Sequence, residues 1–159
     1  MAEAEGTHGR IILVAMDGSK HSKHAFEWFA DYLYCPTDRV LLAYCAEPVH
    51  ISTIMSGDPM MARQLLKQEE QKIKQIFDSI DTMAKSRNVK HHLLRLDGKP
   101  GHAIVKEAEK QGATLVVTGS HGTGIVRRTL IGSTSDFIIH HSHVPVLVCK
   151  HEDEHHKLK

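Results

Sequence analysis

Residues 118–134 read TGSHGTGIVRRTLIGST and connect an apolar run to the start of a helix. The preceding run, ATLVV at 113–117, has the length and the β-branched residues of a buried strand. The following run, SDFIIHH at 135–141, has apolar residues at helical spacing. Glycines between a strand and a helix let backbone N–H groups converge on an anion, and the helix N-terminus adds about half a positive charge. The stretch therefore predicts a phosphate-binding loop in an α/β domain.

The rest of the chain alternates apolar runs with helical patterns. Strands are predicted at 11–16, 40–45, 91–96, 113–117 and 145–150. Helices are predicted from about 22 to 33, from a cap at Asp58 to about 83, over 103–111 with Gly112 as its stop, and from 135. The second helix is predicted to carry one apolar stripe, formed by Leu65, Leu66, Ile73, Ile76, Phe77, Ile80 and Met83. This alternation is typical of a parallel sheet covered by helices on both faces, in which ligands bind at the carboxyl ends of the strands. Asp17 and Gly119 both end a predicted strand, so we expect both at that edge.

Length and composition favour one domain in a reducing compartment. The 159 residues match the usual size of a single domain. We expect a disordered leader at 1–9, the domain at 10–150 and a charged tail at 151–159. The three cysteines form no CxxC pair, which argues against a disulfide framework or a zinc knuckle.

Charge and hydropathy exclude several classes of partner. The net charge of +1, with acidic and basic residues interspersed, gives no reason to expect nucleic acid as a partner. No signal peptide and no apolar run of about 20 residues is present, so we expect a cytoplasmic protein without a membrane partner. The 14 histidines predict a gain of positive charge as the pH falls toward about 6.

Three better-known motifs do not fit the chain. A P-loop would need Lys and Ser or Thr where Ile125 and Val126 stand, and GxGxxG is absent. Residues 151–155 read HEDEH and match the HExxH pattern of zinc proteases. They lie in a charged tail without the apolar helix face that such a site needs, so the match does not indicate a protease.

Several residues in the remaining motifs allow two interpretations. Asp17 is suited to ribose hydroxyls or a divalent cation, but Asp-Gly-Ser is also an ordinary turn into a helix. Arg127 and Arg128 either add charge at a phosphate or face solvent. The glycines of 118–134 either cradle a phosphate or only form turns. Cys45 has the properties of a small apolar strand residue.

A family resemblance rests on these motifs taken together. Gly119, Gly122 and Gly132-Ser133 have the spacing G-x2-G-x9-G-S, and the chain also contains VAMDGS at 14–19, GKPG at 98–101, TLVVTGSHG at 114–122 and PVLVCK at 145–150. From about residue 10 to residue 150 the chain resembles the universal stress protein family. The resemblance implies a single-domain, three-layer sandwich of the adenine-nucleotide α-hydrolase-like type. It implies five parallel strands in the order 3-2-1-4-5 with about four helices, and a homodimer formed through the strand at 145–150.

The resemblance also implies a site for ATP, with ADP or AMP as alternatives and Mg²⁺ as a candidate metal. Asp17 would lie near the ribose or the metal, and Ala15 and Cys45 would lie beside the base. The residues that the resemblance implies around the phosphates are Gly119, Gly122, Gly132, Ser133 and Thr134. We expect Arg128 there as well because of its charge.

The function that follows is a nucleotide-dependent binder or switch of the stress response, with at most slow ATP hydrolysis. Fast phosphoryl transfer lacks its usual P-loop lysine, general base and arginine finger. Two alternatives remain open, a dimeric interaction module without nucleotide and a weak ATPase with a biological role in turnover. The dimer is also expected because Val146, Leu147 and Val148 would form an apolar edge strand, which is a liability unless it is paired.

Overall fold

The structure is a computed structural model, and it describes residues 9–46, 57–121 and 131–151. Five strands alternate with four helices within these ranges. In chain order they are β1 (Ile11–Met16), α1 (Lys20–Tyr32), β2 (Arg39–Ala46), α2 (Pro59–Ser86), β3 (His91–Asp97), α3 (Pro100–Gln111), β4 (Leu115–Gly119), α4 (Ser133–His141) and β5 (Val146–Cys149). Gly122, Arg127, Arg128 and the HExxH match lie wholly or partly outside the described residues.

The strands form one parallel sheet in the order β3-β2-β1-β4-β5, which confirms the expected topology. In the register of the three central strands, Val14 pairs with Leu42 of β2 on one side and with Val117 of β4 on the other. The strand order reverses direction between β1 and β4, so the carboxyl ends of these two strands border the crevice where such sheets bind ligands.

Alternating strand residues build two hydrophobic cores, one on each face of the sheet. On one face Val14 and Leu42 pack with Phe26 and Phe29 of α1 and with Ile80 of α2. On the other face the intervening strand residues, among them Leu13, Leu41 and Val116, pack against the helices. The helix residues on this face include Ile104 and Ala108 of α3 and Ile138 of α4. Because successive side chains of a strand point to opposite faces, the nearly unbroken apolar strands supply both cores.

The helix boundaries follow from local capping chemistry. Ser19 accepts a hydrogen bond from the N–H of Ser22 at 3.1 Å and begins α1. The Asp58 carboxylate accepts from the N–H of Met60 at 3.0 Å and begins α2, as predicted. Gly112 ends α3 in the left-handed conformation, with φ of 64°.

The apolar stripe predicted along α2 is only partly buried. Ile73 and Ile80 are buried as predicted, but Leu66 is 46% exposed. The prediction for Leu66 was wrong because helical spacing alone does not show where the sheet beneath a helix ends. The first half of α2 therefore extends beyond the core.

A close contact joins α3 to α4. A Cβ atom at Gly101, in the first turn of α3, would lie only 2.9 Å from the ring of Phe137 in α4. The Phe137 ring is stacked between His102 and His141, with centroid distances of 4.0 and 3.8 Å. The absence of a side chain at position 101 therefore lets the two helices pack closely.

An ion pair closes the amino end of the sheet. Nε and Nη2 of Arg10 donate to the two carboxylate oxygens of Asp38, at 2.9 and 2.7 Å. Asp38 also accepts from the N–H of Cys35 at 2.8 Å, and its side chain is 1% exposed. Its carboxylate raises the pKa of Arg10, chiefly through the hydrogen bonds. These hydrogen bonds and the ion pair compensate the buried Asp38 carboxylate for its loss of hydration.

Among the described residues every helix is too short or too polar to cross a lipid bilayer.

Candidate functional site

Two hydrogen bonds hold the start and the end of the glycine-rich stretch together. The N–H of Gly132 donates to the carbonyl of Ser120 at 2.7 Å. The hydroxyl of Ser135, in the first turn of α4, donates to the carbonyl of Gly119 at 2.6 Å. The end of β4 therefore lies beside the N-terminus of α4, as the predicted phosphate cradle requires. Gly132 is the residue before α4 and provides no side-chain cap, so the amides of the first turn can donate to an anion.

Gly119 is needed for packing as well as for the proposed cradle. A Cβ atom at this position would lie 2.8 Å from the carbonyl carbon and oxygen of His21 in α1. Backbone atoms cannot move aside as a flexible side chain can. A glycine at the end of β4 therefore lets α1 pack against the strand, and this requirement is independent of any ligand.

Asp17 occupies the turn between β1 and α1, and both interpretations of its motif find support. Its Oδ1 accepts from the N–H of Ser19 at 2.9 Å, as expected of an ordinary helix-entry turn. Gly18 in the same turn has φ of 78°, a conformation that favours glycine. Oδ2 of Asp17 makes no hydrogen bond within the described part of the chain, and Asp17 lines the cleft described next. One oxygen thus shapes the turn, and the other is available to a ligand.

A cleft of about 930 Å³ opens at the carboxyl ends of the strands. Near β4 and α4 its wall is made of glycines and hydroxyl side chains, among them Gly119, Ser133 and Thr134. Next to it, β1, β2 and α2 form a second wall of mostly apolar or aromatic side chains; they include Met16, Tyr44, Leu66, Ile73 and Ile76. The two walls suit a ligand with a polar, anionic end and a flat apolar end.

The far rim of the cleft carries a salt bridge between β3 and α2. Arg95 donates from both terminal nitrogens to the carboxylate of Glu70, at 3.0 and 2.9 Å. These hydrogen bonds lower the pKa of Glu70 and raise that of Arg95. Glu69 and Asp97 line the same rim, so acidic groups outnumber the paired arginine there. This rim disfavours phosphate, whose expected position is at the opposite, glycine-rich wall.

Histidine rings lie against the start of the glycine-rich stretch. Nδ1 of His121 is 3.1 Å from the hydroxyl of Ser120, and the His121 ring centroid is 5.2 Å from that of His21. The ring of His151 lies 5.6 Å from His21 and 5.0 Å from His24. These four residues, His21, His24, His121 and His151, are called the histidine group below. His121 also lines the cleft, so the group connects the glycine wall to α1.

Comparison with known proteins supplies the family. A model described as "Universal stress protein family" matches residues 9–150. The chain belongs to the universal stress protein family. A universal stress protein of Methanocaldococcus jannaschii is 39% identical over 94 residues, an alignment that covers 59% of this chain and 54% of the relative. One from Thermus aquaticus is 28% identical over 141 residues and is covered over 98% of its length, against 89% of this chain.

Solved structures of the family share the fold. A universal stress protein in complex with cAMP superposes with a TM-score of 0.67 at 22% identity, covering 90% of this chain and 98% of that one. An Arabidopsis thaliana member of the family with AMP bound gives a TM-score of 0.65 at 18% identity, covering 90% and 92%. At these identities the likeness establishes the α/β architecture of the family for this chain.

Most of the predicted site residues lie together in this universal stress protein. The cleft is lined by Ala15, Asp17, Cys45, Gly119, Gly132, Ser133 and Thr134. Cys45 also contacts the turn after β3, since its Sγ lies 3.4 Å from the carbonyl oxygen of Gly98. The remaining two, Gly122 and Arg128, fall outside the described residues. Among the described residues no group of three or more His, Cys, Asp or Glu side chains has a metal-binding arrangement.

The sequence interpretation missed several cleft residues. They are chiefly Glu69, Glu70, Arg95, Asp97 and His121. Asp97 ends β3 at the same edge of the sheet as Asp17, so its position at a strand end was a usable signal. No local pattern indicates the pairing of Arg95 with Glu70, because the two residues are 25 positions apart.

Proposed function

We propose that this universal stress protein binds an adenine nucleotide, with ATP as the nucleotide and ADP or AMP as alternatives. The observation that carries the proposal is the cradle in which Gly132 and Ser135 hydrogen-bond to the end of β4 beside the N-terminus of α4. Backbone amides at such a terminus bind phosphate readily. The two family members with AMP and cAMP share this architecture, which supports the choice of an adenine nucleotide.

The proposed roles divide along the two walls of the cleft. The phosphates would lie against the glycine wall, where Gly119, Gly122, Gly132, Ser133, Thr134 and Arg128 are proposed to contact them. Asp17 would meet the ribose. Ala15 and Cys45, at the ends of neighbouring strands, would lie beside the base.

A magnesium ion fits this arrangement only as a partner of the bound nucleotide. Mg²⁺ is commonly held by one or two carboxylates together with substrate phosphates. Asp17 supplies one such carboxylate with Oδ2 available. Any Mg²⁺ would therefore be held by Asp17 and the phosphates together, and it would shield the negative charge between them.

We propose that the protein acts as a cytoplasmic stress-response switch, in which nucleotide occupancy changes conformation or partner choice. A P-loop lysine is missing from the sequence, since Ile125 and Val126 stand where that motif needs Lys and Ser or Thr. Hydrolysis, if it occurs, is expected to be slow because phosphoryl transfer depends on such charged groups.

A second candidate function is a dimeric interaction module without nucleotide. The observation in its favour is β5, which within the described ranges pairs with β4 alone and carries the half-buried Val146 and Leu147 at the edge of the sheet. A homodimer through this edge is proposed in either case. Light scattering distinguishes dimer from monomer, and a monomer at micromolar concentration would contradict the dimer.

The change Ser133→Asp tests the binding proposal. Ser133 is an exposed residue in the first turn of α4 and lines the cleft. A carboxylate there stabilises a helix N-terminus by about 0.3–1 kcal/mol, but it repels a phosphate in the cradle. We expect calorimetry to show ATP affinity reduced by about tenfold or more, and thermal unfolding to show no loss of stability.

The matched control is Ser133→Ala, which removes the hydroxyl without adding charge. Its ATP affinity is expected to fall by about fivefold or less, corresponding to one hydrogen bond. If Ser133→Asp binds ATP as tightly as the wild-type chain, the phosphates do not lie at α4. If the wild-type chain shows no association at millimolar ATP with magnesium, the interaction module is the better description.

A further inference from the structure

His121 lines the cleft, but none of the ligand contacts proposed so far involves it. Its Nδ1 lies 3.1 Å from the hydroxyl of Ser120, whereas its Nε2 is buried and has no hydrogen-bond partner in the part of the chain that is described. A buried nitrogen without a partner is unfavourable by about 1–3 kcal/mol relative to one that is hydrogen-bonded. The ring therefore gains free energy if a small rotation brings it to an acceptor in the cleft.

The position of His121 indicates that this acceptor would be a phosphate oxygen. The residue follows Gly119 and Ser120 at the end of β4, and it lines the same cleft as Gly132 and Ser133. These are the residues that form the glycine wall. A phosphate bound there lies near the imidazole, and an imidazolium donates stronger, charge-assisted hydrogen bonds to phosphate than a neutral ring does.

Of the charged side chains that line the cleft in the described part of the chain, His121 is the one placed to contact a phosphate. Arg95, on β3, is already paired with Glu70 of α2 at the opposite rim. Lys20 and Lys23 belong to the first turn of α1 but do not line the cleft. The acidic groups that line it are Asp17 after β1, Glu69 and Glu70 on α2, and Asp97 on β3. Among the described lining residues, His121 is thus the basic side chain at the glycine wall.

The rest of the histidine group limits how much charge can collect beside His121. The ring of His21 is 5.2 Å away, and His151 and His24 continue the series behind it. Several imidazolium charges at such spacing repel one another when water is largely excluded. A bound phosphate offsets this repulsion for His121, because it is the member of the group that lines the cleft.

We propose that His121 is a proton-linked phosphate contact, which takes up a proton as the nucleotide binds and donates a hydrogen bond to a phosphate oxygen. The proposal rests on the proposed function, since it requires a nucleotide in the cleft. Its consequence is that nucleotide affinity depends on pH through a protein group. A protonated His121 attracts phosphate more strongly than the neutral ring does, so the affinity contributed by this residue increases as the pH falls.

The test compares ATP binding by the full chain and by His121→Gln between pH 5.5 and pH 8. Glutamine retains a neutral donor but does not titrate. A phosphate monoester titrates near pH 6 itself, so the informative quantity is the ratio of the two affinities at each pH. We expect wild-type protein to bind ATP about fivefold more tightly than the variant at pH 5.5, with the ratio falling toward one at pH 8.

A second measurement reports the proton directly. Calorimetric titrations in two buffers with different ionisation enthalpies give the number of protons taken up on binding, and at pH 7 we expect this number to be larger for wild-type protein than for His121→Gln. The control is His92→Gln, since His92 is exposed on β3 and does not line the cleft. It should match the wild-type chain in both measurements.

The outcomes separate the two proposals. A ratio that stays constant with pH, even if it is large, assigns His121 a packing role and overturns the proton-linked contact while leaving nucleotide binding intact. Absence of ATP binding by the wild-type chain at every pH contradicts the proposed function, and the His121 proposal with it. Circular dichroism of each variant establishes that it is folded before the affinities are compared.

Discussion

Arg10 and Asp38 satisfy each other at the amino end of the sheet. At the carboxyl end, Asp17 and His121 each keep one polar atom without a hydrogen-bond partner among the residues that the structure describes. The amino end is also closed by a reciprocal contact, in which Thr114 Oγ1 accepts from the N–H of Ile11 and donates to its carbonyl, at 3.2 and 3.1 Å. The carboxyl end opens into the cleft.

From this difference we expect the amino end to contribute mainly to stability and the carboxyl end mainly to the proposed function. Polar groups that are fully paired within the chain contribute to folding and have little left to offer a ligand. Polar groups left unpaired beside a cleft reduce stability, and a ligand can satisfy them. We therefore expect changes at the amino end to alter unfolding but not nucleotide affinity. The reverse should hold for most changes at the carboxyl end.

Gly119→Ala breaks this division and should have the largest effect on stability. The added methyl group would meet the backbone of His21 at 2.8 Å. Because backbone must shift to accommodate it, we expect a loss of about 2–3 kcal/mol in the free energy of unfolding, measured by urea denaturation. The control is Gly57→Ala, where the added methyl meets nothing within 4 Å. A stability for Gly119→Ala equal to that of the control would contradict the close approach of α1 to β4.

Asp38→Ala tests the amino end and should rank second. It removes a carboxylate that accepts from Arg10 and from the N–H of Cys35. We expect the free energy of unfolding, measured by urea denaturation, to fall by about 2 kcal/mol. This value lies toward the lower part of the range for charged hydrogen bonds because the Arg10 side chain is 45% exposed. The control is Asp78→Ala at an exposed helix position, with about 0.5 kcal/mol or less. A change in ATP affinity for Asp38→Ala in the folded protein would argue against the division between the two ends.

The smallest expected effect is a difference in reactivity between two cysteine thiols, which can be measured without any mutation. Cys35 lies near Asp38 and is exposed, whereas Cys149 ends β5 and is 7% exposed. Burial raises the pKa of Cys149, so less of its reactive thiolate is present at pH 8. We expect iodoacetamide to modify Cys35 on the order of tenfold faster, as followed by mass spectrometry of peptides. Equal rates in the folded protein would show that the end of β5 opens readily.

The sequence was informative about the fold because its signals are local. Apolar runs with β-branched residues predicted the strands, and Ser19, Asp58 and Gly112 marked helix ends through capping chemistry that acts within a few residues. The strand order came from the family resemblance, since periodicity alone does not say which strands are neighbours. That order is what brings Asp17 and Gly119 to one crevice.

The contacts that the sequence did not reveal are those between distant positions. Arg10 and Asp38 are 28 positions apart, and neither forms part of a recognisable motif. His121 stood within the quoted glycine-rich stretch. That its Nε2 is buried, without a hydrogen-bond partner in the described part of the chain, becomes visible only when β4, α1 and the residue at 151 are placed together. Helical spacing likewise grouped Leu66 with the core, although the structure places it at the rim of the cleft.

The contact between Gly101 and Phe137 has a mechanical consequence for the cleft. It fastens the first turn of α3 to α4, and Pro100 and Ser133 at the starts of these two helices both line the cleft. These helices are therefore expected to move as one rigid body when a ligand enters. The opposite boundary, formed by the half of α2 that carries Leu66 and Glu70, extends past the core and is joined to β3 through the exposed Arg95 salt bridge. We therefore expect the entrance to widen by displacement of α2, while α3 and α4 keep their positions relative to each other.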